Sequence, residues 1–303
     1  MYKDIINNRY KNNDGESFTV VTQSGCTCGI LFDNCCHVQY RHYDFVITGA
    51  VKNYFKPTVY NVGYLGFVSS KSMPARDEEF KYIYECWKGM LRRCYSDECK
   101  WTNNRIFGIK VTTKWHSFRN FYLWCKSSVS NFKIGLELDK DILGNGKEYS
   151  DVCCVFVPKP LNNFYSIVNP LKPLPSGVRK DHHKFQANVS INKAKYFLGS
   201  FDTEDEASDV YHAAKTIICN KLLEECYSDG DIPLWLYERC RIAGWRDKWI
   251  DRRPIKDETI RIRKPLEEMI KEYTSLQIIY NVVNGEPSET IRTGNQEKDL
   301  VEN

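Results

Sequence analysis

The chain has 303 residues, 42% hydrophobic and 14% aromatic, enough apolar material for roughly two folded domains, while a formal net charge of +4 is too small to mark a polyanion partner by bulk charge alone. Thirteen cysteines suggest a disulfide scaffold only in a short secreted chain; the odd count and the lack of an apolar signal segment predict a reduced, cytoplasmic protein instead. No apolar run approaches the roughly 20 residues needed to cross a bilayer, so no membrane partner is expected.

From about Asp14 to Val68, short alternating runs such as "SFTVV" and "HVQYRHYDFVIT" separated by glycines predict a small β-barrel, the core of an accessory domain over residues 1–70. Cys26, Cys28, Cys35, Cys36 and His37 cluster there, but a CxC pair and two adjacent cysteines space poorly for a zinc knuckle. Docking and accessory nucleic-acid binding both remain open for this segment. The polar "SSKSMPARD" reads as a linker. From Asp77 to Cys94 the spacing predicts a helix that buries Phe80, Ile83, Tyr84, Trp87, Met90, Leu91 and Cys94 and turns Lys81, Lys88, Arg92 and Arg93 to solvent. A second aromatic helix, "TKWHSFRNFYLWCK", presents Trp115, Phe118, Tyr122 and Cys125 to a core, with His116 on the surface.

The stretch "LELDKDILGNGKEYSDVCCVFVPKPLNN" begins at Leu136. Asp139 and Asp141 flank Lys140 just after an apolar strand and before a "GNG" turn, an arrangement able to hold a hard cation near a phosphate. Lys140 serves as a base only if its pKa is strongly lowered, whereas Asp141 can be a weak proton acceptor or a second ligand. Asn145, Asn162 and Asn163 offer polar contacts but are equally natural in turns.

After Gly177 the pattern changes to period two. Phe185, Ala187, Val189 and Ile191 fall on one side of a strand, and Gln186, Asn188, Ser190 and Asn192 on the other. A following strand turns Tyr196 and Leu198 inward and Lys195 and Phe197 outward, and a shorter first strand adds Arg179 to the outer face. Thr203 with Glu206 forms a capping box, behind which Ala207, Val210, Tyr211, Ala214, Ile217 and Ile218 recur at helical spacing. The helix seals one face of the sheet. The other carries Arg179, Lys184, Gln186, Asn188, Ser190, Lys195 and Phe197, a set that suits either solvent or the donor and acceptor pattern of a DNA groove. Further on, basic residues interleave with tryptophans. Trp235, Trp245 and Trp249 either pack on a core while Arg239, Arg241, Arg246, Arg252 and Arg253 face water, or the stretch tracks phosphates. A last helix is predicted from Pro265 to about Ile279, before a polar tail.

The runs "GVR", "FQANVSI", "KYFLGSFDTEDEA" and "YHAAK", over roughly Pro175 to Glu225, resemble the AP2 domain of plant AP2/ERF factors and phage-borne endonucleases. The resemblance implies a three-stranded antiparallel sheet laid in the major groove of double-stranded DNA, with Arg179, Lys184, Asn188, Ser190, Lys195 and Phe197 at DNA-contacting positions. Asn188 and Ser190 stand where plant members commonly have glutamate and arginine, and Phe197 where they have tryptophan, so the plant target sequence does not transfer. Over about Glu79 to Tyr165, "YECWKGMLRRCYS", "WHSFRNFYLWC" and the Asp139 segment resemble phage HNH homing endonucleases. That resemblance implies a ββα unit in which a metal ion, Mg²⁺ or Mn²⁺, would sit on Asp139 and Asp141. Here Asp139 and Lys140 occupy the Asp-His position, so the usual histidine base is missing, and Cys153 or Cys154 falls at the usual asparagine; Asn162 is a remaining polar candidate.

Together these readings predict an α+β chain: a β-rich domain (1–70), a degenerate HNH-like unit (75–168), an AP2-like domain (175–226), a helical basic and aromatic extension (231–283) and a flexible tail (284–303). The expected function is sequence-specific binding of double-stranded DNA in a bacterial host cell, coupled or not to metal-dependent cleavage. No small-molecule substrate is expected. The alternatives are a non-catalytic DNA-binding regulator or nuclease remnant, and a protein-docking module without DNA.

Overall fold

The structure is a computed structural model describing residues 2–99, 108–144, 146–165, 174–191, 193–243 and 264–285. Asn145, Asn192, Trp245, Trp249, Arg246, Arg252, Arg253 and the tail beyond Gly285 lie outside these residues. The chain is mixed α+β and divides into two compact units, Met1–Phe156 and Val157–Asn303. Their boundary falls inside the 75–168 segment. Among the described residues no helix is long and apolar enough to cross a membrane.

The first unit begins with strands β1 (Arg9–Lys11), β2 (Ser17–Ser24), β3 (Thr27–Phe32) and β4 (Gln39–His42), paired antiparallel in the order β1-β2-β3-β4. Their inward residues Phe18, Val20, Cys28, Ile30 and Phe32 form a core with Ile5, Val51 and Val46, the last on helix α1 (Tyr43–Ile47). The expected barrel does not form. The outer strands are only three and four residues long, offering too few pairing positions to close the sheet, and the chain leaves β4 directly into α1, which covers the core instead. Arg41 is buried on β4, where its Nη1 donates to the Val68 carbonyl at 3.0 Å and its Nη2 to the Lys52 carbonyl at 3.0 Å. Its guanidinium also lies 4.3 Å from the Tyr54 ring, so one buried cation ties the 52–68 loop to the sheet.

A second core forms around α2 (Glu78–Tyr95), whose N-terminus is capped by Asp77 accepting from Phe80 N at 2.8 Å. Phe80, Ile83, Trp87, Met90, Leu91 and Cys94 make its buried stripe. The "TKWHSFRNFYLWCK" segment is not one helix. A 3₁₀ turn over Thr113–His116 gives way at Ser117 to α3 (Phe118–Cys125), and Trp115, Phe118, Phe121, Trp124 and Cys125 are buried. Trp87 Nε1 donates to the Trp115 carbonyl at 2.7 Å, holding the turn against α2. His116 is half-buried rather than on the surface, because the turn rotates it beside Tyr95, whose hydroxyl lies 3.4 Å from Nε2. Burial lowers its pKa. Two small sheets complete this part: β5 (Lys110–Val111) runs parallel to β7 (Glu148–Tyr149), and β6 (Glu137–Asp139) pairs with β8 (Val155–Val157).

The second unit contains α4 (Lys159–Tyr165), then β9 (Val178–Asp181), β10 (Lys184–Ile191) and β11 (Ala194–Phe201) in an antiparallel sheet of order β11-β10-β9. Helices α5 (Glu204–Ser228), α6 (Leu234–Ala243), α7 (Leu266–Glu272) and α8 (Thr274–Asn284) follow. Ala187, Val189 and Leu198 are buried with Ala207, Val210, Ala213, Ala214 and Ile217 of α5, while Met269, Leu276 and Ile279 of α7 and α8 complete the same core. The small side chains on α5 let its backbone lie close to the sheet. Gly177 enters β9 at φ +74°, and a Cβ there would meet the Tyr211 ring at 2.0 Å, so only glycine admits this approach of chain and helix. On α6 the buried stripe is Leu236 and Cys240, with Ile232 just ahead of it. Trp235 is therefore exposed rather than packed on the core, as are Arg239 and Arg241.

The Thr203 and Glu206 side chains satisfy each other's backbone N–H groups at the start of α5, a complete capping box. Thr203→Ala is expected to cost about 1 kcal/mol and Thr203→Ser much less, read by urea denaturation. Equal losses from the two would remove the hydroxyl cap as the cause.

Candidate nucleic-acid interface

Residues directly opposed in an antiparallel pair share a face. Gln186 opposes Arg179 and Ser200, Lys184 opposes Asp181, Asn188 opposes Phe197, and Ser190 opposes Lys195. This places Arg179, Lys184, Gln186, Asn188, Ser190, Lys195 and Phe197 together on the face turned away from α5. Phe197 stays 42% exposed there, a large aromatic outside the core that β10, β11 and α5 build.

The register slips at Ala187/Asn188, so that Ala187 opposes Gly199 while Asn188 opposes Phe197, and Leu198 is the extra residue of a bulge. Gly199 sits at φ +142°, within reach of glycine alone. The bulge resets the alternation: Leu198 points inward, Ser200 points outward and Phe201 returns to the core. Strict period-two reading misses Ser200 for this reason. Gly199 inside a strand pattern is the signal that marks the bulge.

The outer face is internally ordered. Arg179 Nε donates to Gln186 Oε1 at 2.9 Å, with Nη2 donating to the same oxygen, and Gln186 Nε2 donates to the Asp181 carboxylate. These bonds fix the plane of the guanidinium and orient the amide across three strand positions. Asp181 also belongs to this face and was not among the expected residues; its place follows from its pairing with Lys184. Lys184 Nζ meets Asp202 Oδ1 at 2.9 Å, a solvent-exposed pair that holds the cation weakly. Chemically, the face offers a planar fork for guanine, an amide for adenine, mobile ammonium groups for phosphate and an apolar ring for a thymine methyl.

The Asp139 segment has a different character. Asp139 ends β6 and is 2% exposed; its Oδ1 accepts from Asp141 N at 2.8 Å and Ile142 N at 2.6 Å, closing a tight turn. Its Oδ2 is buried and has no hydrogen-bond partner among the described residues. Burial, and after it the Asp141 charge, raises the carboxyl pKa from 3.8 to about 6. Lys140 is buried too, its Nζ donating to Asp141 Oδ2 at 2.9 Å and lying 5.5 Å from the Tyr149 ring. Burial opposes its charge, but Tyr149 and Asp141 outweigh that and hold its pKa above the usual lysine value. Lys140 is thus an ammonium at neutral pH, not a base.

The segment thus brings Asp139, Lys140 and Asp141 together as a buried turn. Asn162 lies half-buried on α4, in the other compact unit. As a cation site the turn fits poorly: Asp139 Oδ2 is a suitable ligand, but Asp141 already holds Lys140, and among the described residues no group of three or more His, Cys, Asp or Glu side chains is arranged to hold a metal ion. The N-terminal cysteines are similarly dispersed, with Cys28 inside the β core and Cys36 exposed.

A carboxyl whose pKa rises on folding stabilises the fold fully below 3.8 and loses that contribution as pH climbs through about 6. In Asp139→Asn the amide oxygen retains both turn bonds without the titration. Urea denaturation from pH 4 to 7 should show the variant gaining on the parent, by up to about 3 kcal/mol across the window. A constant difference would mean that Asp139 ionises as an ordinary carboxylate. Comparison of the chain with protein families, with curated proteins and with solved structures finds no match.

Proposed function

We propose that this protein binds double-stranded DNA sequence-specifically, laying the outer face of β9, β10 and β11 in the major groove. The observation that carries the reading is the register, which gathers two amides, three cations and an exposed phenylalanine on the sheet face turned away from α5, which no helix among the described residues seals. A twisted antiparallel ribbon fits a groove about 12 Å wide, and each good bidentate contact is worth about 1–3 kcal/mol of discrimination. Arg179, held by Gln186, suits guanine; Asn188 suits adenine; Lys184 and Lys195 suit backbone phosphates. The likeness of this stretch to AP2 domains supports the same placement.

In this reading the Asp139 turn is a structural remnant of an HNH-like unit that supports the fold without cutting DNA, in keeping with its paired, buried charges and the absent histidine. Metal-dependent cleavage is the second reading, favoured by one observation, the buried Oδ2 of Asp139, which has no hydrogen-bond partner among the described residues.

Selection from a randomised duplex library in Mg²⁺, with sequencing of retained molecules and of new ends, tests both. The expected result is an enriched site with intact ends. New ends at a fixed offset, lost in Asp139→Ala with binding retained, would establish cleavage; no enrichment would overturn DNA reading. Arg179→Ala and Asn188→Ala should each relax one base position by about 1–3 kcal/mol. Lys195→Ala should instead weaken all sequences alike and lower the salt slope of log K by about one.

A further inference from the structure

The helical pair α7–α8 lies far along the chain from the sheet, yet it fastens to the strand that carries Phe197. Ser275, in the first turn of α8, donates from Oγ to the Leu198 carbonyl at 2.7 Å. Leu198 is the bulge residue, the one position of β11 here without an opposite number on β10. Its side chain is buried in the cluster that also holds Leu276 and Ile279 of α8. Tyr273, between α7 and α8, sets its ring edge-on to Phe201 with centroids 6.0 Å apart. A bulge on an edge strand is the part of a sheet with the fewest ladder bonds to define its conformation. Here α8 supplies the missing definition, from the carbonyl on one side and the buried leucine on the other.

We infer that Ser275 is a positioning residue for DNA reading: by holding the Leu198 carbonyl it fixes the bulge and so aims Phe197 at the base edge it touches. The inference rests on the proposed DNA-reading role of the sheet. It extends the reading unit beyond the sheet and α5 to include α7–α8. The contact affected is apolar, the kind that separates a thymine methyl from other groove edges. Arg179, on the opposite edge strand β9, lies outside the reach of this hydrogen bond, so the effect is local to the β11 side of the site.

The test compares Ser275→Val and Ser275→Thr in the full chain, a pair of nearly equal volume that differs in the hydroxyl, with Phe197→Ala and Arg179→Ala alongside. Base preference is measured by library selection and stability by urea denaturation. Ser275→Val should lose about three- to tenfold discrimination at the positions altered by Phe197→Ala, leave those altered by Arg179→Ala intact, and be rescued by Ser275→Thr. A preference profile unchanged in Ser275→Val while Phe197→Ala shifts it would overturn the inference. So would a loss spread evenly over all positions, which marks a purely structural role. If Phe197→Ala and Arg179→Ala both leave every preference unchanged, the DNA reading itself fails, and the role of Ser275 with it.

Discussion

The second unit depends on one burial: Ala187, Val189 and Leu198 sealed against the alanine-rich side of α5. Because side chains alternate along a strand, with one reset at the Leu198 bulge, that burial also decides where the polar residues of the sheet must go. A slip of one residue would drive Asn188 and Ser190 into the core, at the cost of desolvating unpaired polar groups, and expose Val189. The hydrophobic core therefore enforces the display of Arg179, Gln186, Asn188 and Lys195 as firmly as any contact those residues make themselves. The proposed function is a by-product of the register.

Where local periodicity and burial agree, the sequence is readable. The stripe on α2, the capping box of α5 and the parity of β10 each follow from spacing, because each is a regular element packed on one face. The departures have a common origin in tertiary arrangement. The N-terminal strands alternate as barrel strands do, but closure depends on edge length and on where α1 lies, neither of which alternation encodes. His116 sits in a 3₁₀ turn, whose phase differs from that of the α-helix its neighbours suggest. Trp235 is exposed because the buried stripe of α6 runs through Leu236 and Cys240, one position out of phase with the tryptophan. Asp181 is legible only with the pairing in hand, since a short edge strand sets its face, whereas Ser200 depends on the bulge that Gly199 marks in the sequence.

In the Asp139 turn, acidic residues at a suggestive spacing take up partners within the fold itself. In sequence, two aspartates about a lysine suggest a cation site. In the fold, Lys140 neutralises Asp141 inside a buried turn, Asp139 spends one oxygen on backbone N–H groups, and desolvation pushes its remaining charge toward protonation. A hard cation would have to displace an internal ion pair before gaining a second carboxylate, and removing one partner of a buried pair is itself costly. The same groups serve well as a structural latch, since they close the turn between β6 and the loop leading to β7.

In the proposed DNA reading, specificity and affinity would draw on different parts of the sheet. The proposed base readers are preorganised: the Arg179 guanidinium is planar against Gln186, and Phe197 stands on a bulge that α8 braces. Less ordering is then left for the moment of binding, which favours discrimination. The phosphate term is modest by comparison, because Asp181 and Asp202 lie beside Arg179 and Lys184 and the net charge of the chain is only +4. On the proposed reading, weak electrostatic attraction to arbitrary duplexes would suppress binding away from the target more than binding at it, since a non-specific complex depends almost wholly on phosphate contacts. Low charge, which by composition alone does not mark a DNA partner, is consistent with a proposed reader that gains selectivity by restraint.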